Sequence, residues 1–458
     1  MIENDAFKLL LINLFHLNPD DIANIFCTTF NKMMVLIVTL ADKHQACPYC
    51  GFTAPKIKEY VTKEITHSAL TTQKCIIKYR ARRYKCPCCG KTYYEFNPFV
   101  FKSQKISILT VHNILKDLKD FNETFTSVAR RYHVSPTSVS TIFDNHVDIG
   151  RNPLPEIINF DEVYAFKSEK SKYVCVLLDF KKQIPVDLLP NRKKEFLLNY
   201  FQKIPLEERK KVKYACSDMY EVYRDVVHKV FPCSCMLLDY FHLSQDFHRK
   251  MNEVRIKVMK GYKDNKASDE YYLLKKFNWL LFKNPEDEDK HGRLFDVERE
   301  RKYNSHFKSY MNYYDLRKKL LEINNDLTIC YSLKLELVDF YSKSTIDNAK
   351  VNLENLIRSC IDTNIEEMIA FSNNLINWKQ EIINSFTIVG AEYKVEADKG
   401  QVVVCNKKVN NAIIENRNKI IKCIKNNANG YTNWLRFRNR VMYVLDPNTT
   451  FSLEPREK

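Results

Sequence analysis

Glycine is scarce, with 8 in 458 residues. No stretch fits Gly-x-x-x-x-Gly-Lys-Ser/Thr, the loop whose backbone N–H groups cradle nucleotide phosphates, so an ATP-driven motor is not expected. Long apolar runs are missing too. The segment MMVLIVTLA, 33–41, is too short to span a bilayer. The opening residues, MIENDAFKLLLINLFHL, lack the basic start and small-residue cleavage site of a secretion signal. The 15 cysteines are an odd number, so a complete disulfide framework does not fit. The expectation is a reduced, cytoplasmic protein with no membrane partner, in which most cysteines serve as small buried hydrophobes.

What is present is positive charge. The formal net charge is +16, and the excess is clustered: residues 51–110 hold 12 Lys/Arg against 3 Asp/Glu, and 401–440 hold 9 against 1. Clustered basicity favours a polyanion, DNA or RNA, although a Lys-, Asn- and Ile-rich composition bias accounts for part of it. A hydrophobic content of 45% supports real cores, and the length suggests roughly two to four units.

Cys47-Pro-Tyr-Cys50-Gly51 and Cys86-Pro-Cys88-Cys89-Gly90 form two knuckles. Each pair can chelate one ion from a tight turn, and each following glycine permits the left-handed backbone that the turn needs. Cys47, Cys50, Cys86 and Cys89 predict a closed structural zinc site. Cys88, Cys75, His44 and His67 are spare donors. Between the knuckles, KCIIKYRARRYKC alternates apolar and basic residues, as a β-hairpin strand would. Its Lys78, Arg80, Arg82 and Arg83 are candidate phosphate contacts.

Residues 105–120 have helical spacing. In TFTSVARRYHVSPTSVSTIFDNH, Val128 and Ala129 fit a first helix and Val134 a turn. Ser135 fits an N-cap, with Pro136 at the first position of a second helix. Val139 and Ile142 would face inward; Thr137, Ser138, Ser140 and Thr141 would face a major groove. This reads as a helix-turn-helix, with a plain helical linker as the alternative.

From 157 the pattern changes. IINFDEVYAF, KYVCVLLDF and IPVDLLP predict three strands, followed by a helix near 192–203, a strand VKYACS, an amphipathic helix and a strand CMLL. The first three suit an antiparallel meander, and the whole order, βββαβαβ, is that of the ribonuclease H-like fold, whose first and fourth strands lie side by side. Asp161 and Asp218 end those two strands. Glu162 competes with Asp161, but adjacent strand residues face opposite ways, so only one can join a site. Asp239 and His242 follow the fifth strand, either to position DNA or as loop structure. Near 415 a helix carries Ile413, Arg417, Ile420 or Ile421, and Ile424 on one stripe. Glu415, Asn418, Lys419 and Lys422 lie on another, so that Lys419 and Lys422 could follow a DNA backbone. A solvated i,i+4 Glu–Lys pair is the plainer reading. Together, Asp161, Asp218 and Glu415 form a candidate divalent-metal site for phosphodiester chemistry.

The chain resembles the DDE transposases of bacterial insertion sequences, of the ISL-three type. The likeness rests on RARRYKCPCCGKTYYE after the first knuckle, the paired-helix segment, the Asp-Glu strand and Ser-Asp-Met-x-x-x-Tyr at 217–223. It extends to Asp239-Tyr240-Phe241-His242 and to the closing Glu-helix with its Phe-Arg-Asn-Arg ending. The resemblance implies a catalytic triad of Asp161, Asp218 and Glu415 with two magnesium (or manganese) ions. It also implies structural zinc, a bacterial, nucleoid-associated location, and DNA partners that are the element's terminal inverted repeats and a target. The family usually has glycine where this chain has Ala412 and Asn416; a helix tolerates both.

The expected architecture is α+β and multidomain: a zinc-finger domain at 1–98, a helix-turn-helix at 99–150, a ribonuclease H-like catalytic domain at 151–249 and 387–458, and an all-helical insertion at 250–386. The insertion places Trp279, Phe340 and Trp378 on apolar faces, and 387–405 reads as an extra hairpin. The expected function is a transposase that cleaves and joins strands, acting as a homodimer in a synaptic complex. The alternatives are an inactive, domesticated DNA-binding regulator and a structure-specific nuclease. Glu381 and Glu396 are reserve acids should Glu415 fail.

Overall fold

Alternating and fully apolar segments build two separate sheets. The computed structural model describes residues 2–43, 45–101, 104–166, 171–395 and 402–456. Helix α1 (Ile2–Leu14) precedes strands β1 (Ile22–Phe30), β2 (Met33–Leu40), β3 (Lys56–Thr66), β4 (Cys75–Lys85) and β5 (Thr92–Tyr94). Their order is β1-β2-β4-β3, with β5 also on β4. The hairpin β3–β4 is the one the sequence predicts. The β1–β2 hairpin was not foreseen; it turns on Asn31 and Lys32, both at positive φ, as a two-residue hairpin turn requires. Leu11, Ile12 and Phe15 cover Leu36, Val38, Ile77 and Tyr79 to make this unit's core.

Three helices follow: α2 (Ile108–Asp117), α3 (Phe125–Arg131) and α4 (Pro136–His146). Each is capped at its start. Ser107 accepts from Thr110 N–H, Thr124 from Ser127 N–H and Ser135 from Ser138 N–H, and Pro136 fills the first turn of α4, where a missing N–H costs nothing.

The second sheet comprises β6 (Ile157–Val163), β7 (Val174–Asp179), β8 (Pro185–Leu189), β9 (Tyr214–Ser217) and β10 (Cys235–Leu238). Helices α5 (Lys194–Gln202), α6 (Leu206–Arg209) and α7 (Glu221–Val230) lie between strands. The order is β10-β9-β6-β7-β8. The first three strands form an antiparallel meander, and β9 runs parallel to both β6 and β10. The first and fourth strands are therefore neighbours, as expected. β7 and β8 are buried along their whole length, because both faces of the sheet are covered. Leu197, Phe201, Tyr223 and Val227 of α5 and α7 pack on one face. The other face packs against α2–α4 together with two late helices, α15 (Ala412–Asn427) and α16 (Trp434–Leu445).

The intervening region is largely helical. It contains α8 (Tyr240–Gly261), α9 (Asp269–Lys276), α10 (Tyr313–Glu322), α11 (Asn325–Lys343), α12 (Ala349–Asp362), α13 (Glu366–Asn377) and α14 (Lys379–Asn384). Two short hairpins interrupt it: β11 (Glu288–Asp289) with β12 (Gly292–Arg293), and β13 (Lys302–Asn304) with β14 (Ser309–Met311). An all-helical insertion is thus corrected to a mostly helical one. α8 runs unbroken through 249/250, and its Leu243, Phe247 and Met251 belong to the same core as Phe340 and Trp378. This core begins at the end of β10, ahead of the expected boundary. The extra hairpin is present as β15 (Ile388–Val395) and β16 (Val402–Lys408), paired with each other. No helix among the described residues is long and apolar enough to cross a membrane.

The three-helix unit and the second sheet are joined by α16. Arg440 is 1% exposed and donates to the carbonyls of Leu118, Asp120 and Glu123. Arg436 grips Asp144 of α4, and Arg438 bridges Asp187 of β8 and the Ile149 carbonyl. Asn439 donates to the Val147 carbonyl. The Phe-Arg-Asn-Arg ending is therefore spent on holding α2–α4 against the sheet.

Candidate active site and zinc centre

Register explains how the first two acids meet. Asn159 pairs with Cys216 across β6 and β9, so two residues further on Asp161 comes beside Asp218. The side chain of Asp161 is accepted into a polar frame. Its Oδ1 accepts from the Glu162 N–H at 2.8 Å, and its Oδ2 accepts from Asn418 Nδ2 at 2.7 Å. Glu162 is ion-paired with Arg192 and accepts from the Tyr223 hydroxyl, while its carboxylate still lies within electrostatic reach of Asp218.

Glu415 reaches the same place through a bracket of asparagines. Asn411 is the N-cap residue of α15. Its Oδ1 accepts from Asn159 Nδ2 at 2.7 Å, its Nδ2 donates to the Phe160 carbonyl, and its N–H donates to Asp239 Oδ1. This pins the helix start to β6 and to the end of β10, leaving Glu415 in the first turn, 33% exposed at the side chain. His242 Nε2 lies 3.9 Å from Glu415 Oε1 and 3.8 Å from Asp239 Oδ2. The apolar stripe of α15 is centred on Ile414, Ile421 and Ile424, and Asn418 is buried with them. The expected stripe through Ile413 and Arg417 is therefore rotated by one residue, and Asn418 leaves the exposed basic face for the side of Asp161. Lys419 and Lys422 stay exposed.

The structure thus gathers Asp161, Asp218, Asp239, His242 and Glu415 around one spot. Among the described residues, the set there whose ligand atoms all lie within 4.8 Å of one another is Asp239, His242 and Glu415. Asp161 and Asp218 stand beside that set rather than in it. Glu381 is buried elsewhere, 4.0 Å from Arg224; Glu396 and His44 lie outside the described residues. Sequence reasoning missed Asn159 and Asn411, and set Asn418 on the stripe of Glu415 without giving it a role. Their signal was present as a cluster of amides flanking the two acids, in INFDE and NNAIIENRN.

The electrostatics favour a cation. Burial pushes the Asp161 carboxyl up to about 7, and it raises Asp218, Asp239 and Glu162 as well. The imidazole of His242 lies within electrostatic reach of Asp161, Asp218, Asp239 and Glu162. Asp218 Oδ1, Asp239 Oδ2, His242 Nε2 and Asn418 Oδ1 are buried without a hydrogen-bond partner. Orphaned oxygens converging with raised carboxyl pKa values are costly unless a positive ion supplies the missing partner. The donor set, hard oxygens with one imidazole nitrogen, therefore fits divalent metal.

The cysteine cluster fits a different ion. Cys47, Cys50, Cys86 and Cys89 bring their sulfurs within 4.8 Å of one another. Two of the separations are 3.7 and 3.5 Å, close to the about 3.8 Å between sulfurs of a tetrahedron with 2.3 Å zinc–sulfur bonds. Gly51 and Gly90 have φ of +74° and +70°, and their N–H groups close the knuckles onto the Cys47 and Cys86 carbonyls. The Cys89 backbone N–H draws the Cys86 thiol down to about 7. Cys88 is exposed outside the cluster and Cys75 is buried in the sheet core. His67 is committed to Ser107 and the Phe15 carbonyl.

Of the basic residues on β4, Arg80 is exposed. Lys78 and Arg83 pair with Glu64 and Glu59 across the hairpin. Arg82 is engaged by Glu95 and by the Leu40 and Ala41 carbonyls, so it ties the end of β2 to the residue that follows β5. On α4, Thr137 and Thr141 are exposed, Ser140 is half-buried, and the Ser138 hydroxyl is bonded to Ser135.

A buried acidic centre on an α/β sheet, preceded by a four-cysteine cluster, defines a chain equipped for divalent-metal chemistry. The family model that matches residues 158–397 is the ISL3-type DDE transposase, described as a transposase. The chain belongs to that family of insertion-sequence transposases. It is also 19% identical over 391 residues to the "Transposase for insertion sequence element IS1001" of Bordetella parapertussis, covering 85% of this chain and 86% of that protein. Membership implies DNA as partner and divalent metal in the reaction.

Proposed function

We propose that this protein binds the terminal inverted repeats of an insertion sequence, cleaves the DNA at their ends and joins the freed ends to target DNA. The observation that carries this reading is the convergence of Asp161, Asp218 and Glu415 around buried, unpartnered polar atoms. The strand order β10-β9-β6-β7-β8 with helices on both faces supports a ribonuclease H-like catalytic domain. The capped α3–turn–α4 pair supports a helix-turn-helix with Thr137, Ser140 and Thr141 toward bases. Exposed Arg80 of β4 and Lys419 and Lys422 of α15 would meet phosphates, joined by Lys78 and Arg83 once their pairs with Glu64 and Glu59 give way.

Two magnesium or manganese ions, which Asp161, Asp218 and Glu415 would hold, would supply an activated nucleophile and charge stabilisation for phosphodiester displacement. The chain's own residues do the rest. Asn418 and the Glu162 N–H fix the orientation of Asp161, and the asparagine bracket fixes α15 so that Glu415 faces the strand ends. The sheet and α8 exclude water from Asp239. No serine or tyrosine nucleophile is required, because the 3′ hydroxyl freed by cleavage is itself the attacking group in joining. The zinc cluster holds the N-terminal unit in shape, and a homodimer pairs the two ends.

The test is a cleavage and strand-transfer assay on duplexes carrying the element's native ends, with magnesium. Wild-type protein is expected to nick at the repeat boundary and to join. Glu415→Gln is expected to bind the same ends and do neither. A Glu415→Gln protein that cleaves and joins near the wild-type rate would overturn the assignment. A wild-type protein that only binds the ends would make it a regulator.

A further inference from the structure

We infer that Glu415 shares a cation subsite with Asp239 and His242, so that one of the ions this chain holds has an imidazole nitrogen as ligand. The inference rests on the metal-dependent reading above and names how the ligands divide. Asp239 and His242 are three positions apart in the first turn of α8, on one face of that helix. Glu415 comes to them from the first turn of α15. The three donor atoms lie within 4.8 Å of one another, with the imidazole nitrogen 3.8 and 3.9 Å from the two carboxylates. That spacing is too long for hydrogen bonds and short enough for a common ion.

Asp239 supplies the independent observation. It stands at the N-cap position of α8 but makes no side-chain cap there. One oxygen is anchored by the Asn411 N–H, while the other is buried with no partner, in a side chain only 2% exposed. Among the described residues no lysine or arginine is paired with it. The facing nitrogen of His242 is likewise buried and unpartnered. A carboxylate oxygen and a ring nitrogen that face each other, each lacking a partner, are placed for a ligand between them. Asp161, Asp218 and the free Oδ1 of Asn418 remain for a second, all-oxygen subsite. Nitrogen ligation favours manganese and later first-row ions over magnesium, whereas the oxygen subsite accepts magnesium.

The probe is Mn²⁺ alone, added to full-length zinc-loaded protein without DNA and read by pulsed electron spin-echo spectroscopy. Bound Mn²⁺ is expected to show modulation from a directly bonded nitrogen, and that signal should change when the protein is made with ¹⁵N-histidine. His242→Gln should abolish it and weaken Mn²⁺ binding by at least about tenfold, while Asp161→Asn should leave it in place. Bound Mn²⁺ with no nitrogen modulation, insensitivity to ¹⁵N-histidine, or modulation persisting in His242→Gln would each overturn the proposal. The label exchange needs no substitution, so it stands even if a variant misfolds. Cleavage without nitrogen coupling sinks this subsite alone; nitrogen coupling without cleavage leaves the subsite and sinks the proposed activity.

Discussion

The cysteine cluster draws its thiols from two turns, 47–50 and 86–89, that one hairpin brings together. The acidic cluster instead draws on β6, β9, the start of α8 and α15, and its bond between Asn418 and Asp161 spans 257 positions. Around the sulfurs, backbone N–H groups are already aimed and the knuckle geometry is set locally. Around the acids, four polar atoms have no partner and burial holds Asp161, Asp218 and Asp239 above their ordinary range. In the first case ion binding is expected to be coupled to folding of the turns. In the second, the packing of the sheet and its helices assembles the ligands beforehand and offsets the electrostatic cost of doing so.

The largest expected effect tests the acidic side of this contrast. Asp161→Asn, Asp218→Asn and Glu415→Gln should each lower strand cleavage by orders of magnitude while thermal melting and end binding stay near wild type. Loss of fold in all three would mean that the acids are structural. Next comes the cysteine side. Cys50→Ser should bring zinc, measured by elemental analysis, from one equivalent to none, and should abolish end binding while the second sheet keeps its own melting transition. Retention of zinc by that variant would show that the ion sits elsewhere.

A smaller effect sharpens the contrast at the join. Arg440→Met leaves three buried carbonyls without their donor, at roughly 1–3 kcal/mol each when nothing replaces it. Urea unfolding of the second-sheet unit should lose about 3 kcal/mol or more, with zinc content unchanged. A loss below about 1 kcal/mol would mean that water or a neighbour takes over these bonds.

The smallest effect is a pH dependence. Burial lowers the pKa of His67, which bonds Ser107 and the Phe15 carbonyl where the first sheet meets α2. A histidine depressed in the folded state is stabilising above its unfolded value of about 6.5, and that stability is lost as pH falls below it. His67→Gln should therefore flatten the decline in melting temperature between about pH 6.5 and 5. An unchanged slope would assign the acid sensitivity to the other histidines lowered by burial, His146 and His248.

What was legible in the sequence was whatever is encoded locally. The knuckles announce themselves by Cys-x-x-Cys-Gly, α4 by Ser135-Pro136, and the meander by runs of buried strand residues. The orientation of α15 was not legible in this way. Isoleucines at 413, 414, 420, 421 and 424 offer two adjacent stripes of nearly equal hydrophobicity, and only the contact of Asn418 with Asp161 chooses between them. Arg82 looked like its neighbours on β4, yet Glu95, thirteen residues away, claims it. The boundary at 150 also hides a dependence. Val111, Val128 and Phe143 share a core with Val174, Ile421 and Phe437, so a fragment ending there would expose the inner face of α2–α4.

The reach of Arg440 back to residues 118–123 also has a temporal side. Chains are made from the N-terminus and begin folding as they emerge. The cysteine unit can thus be finished while Glu415 and α16 are still untranslated. A ribosome that stalls in the helical region releases a polypeptide able to bind zinc but without its last acid, and with three helices missing their latch. On the proposed role of Glu415, competence to process DNA is the last thing to be completed during synthesis, and a copy truncated before α15 is expected to lack it.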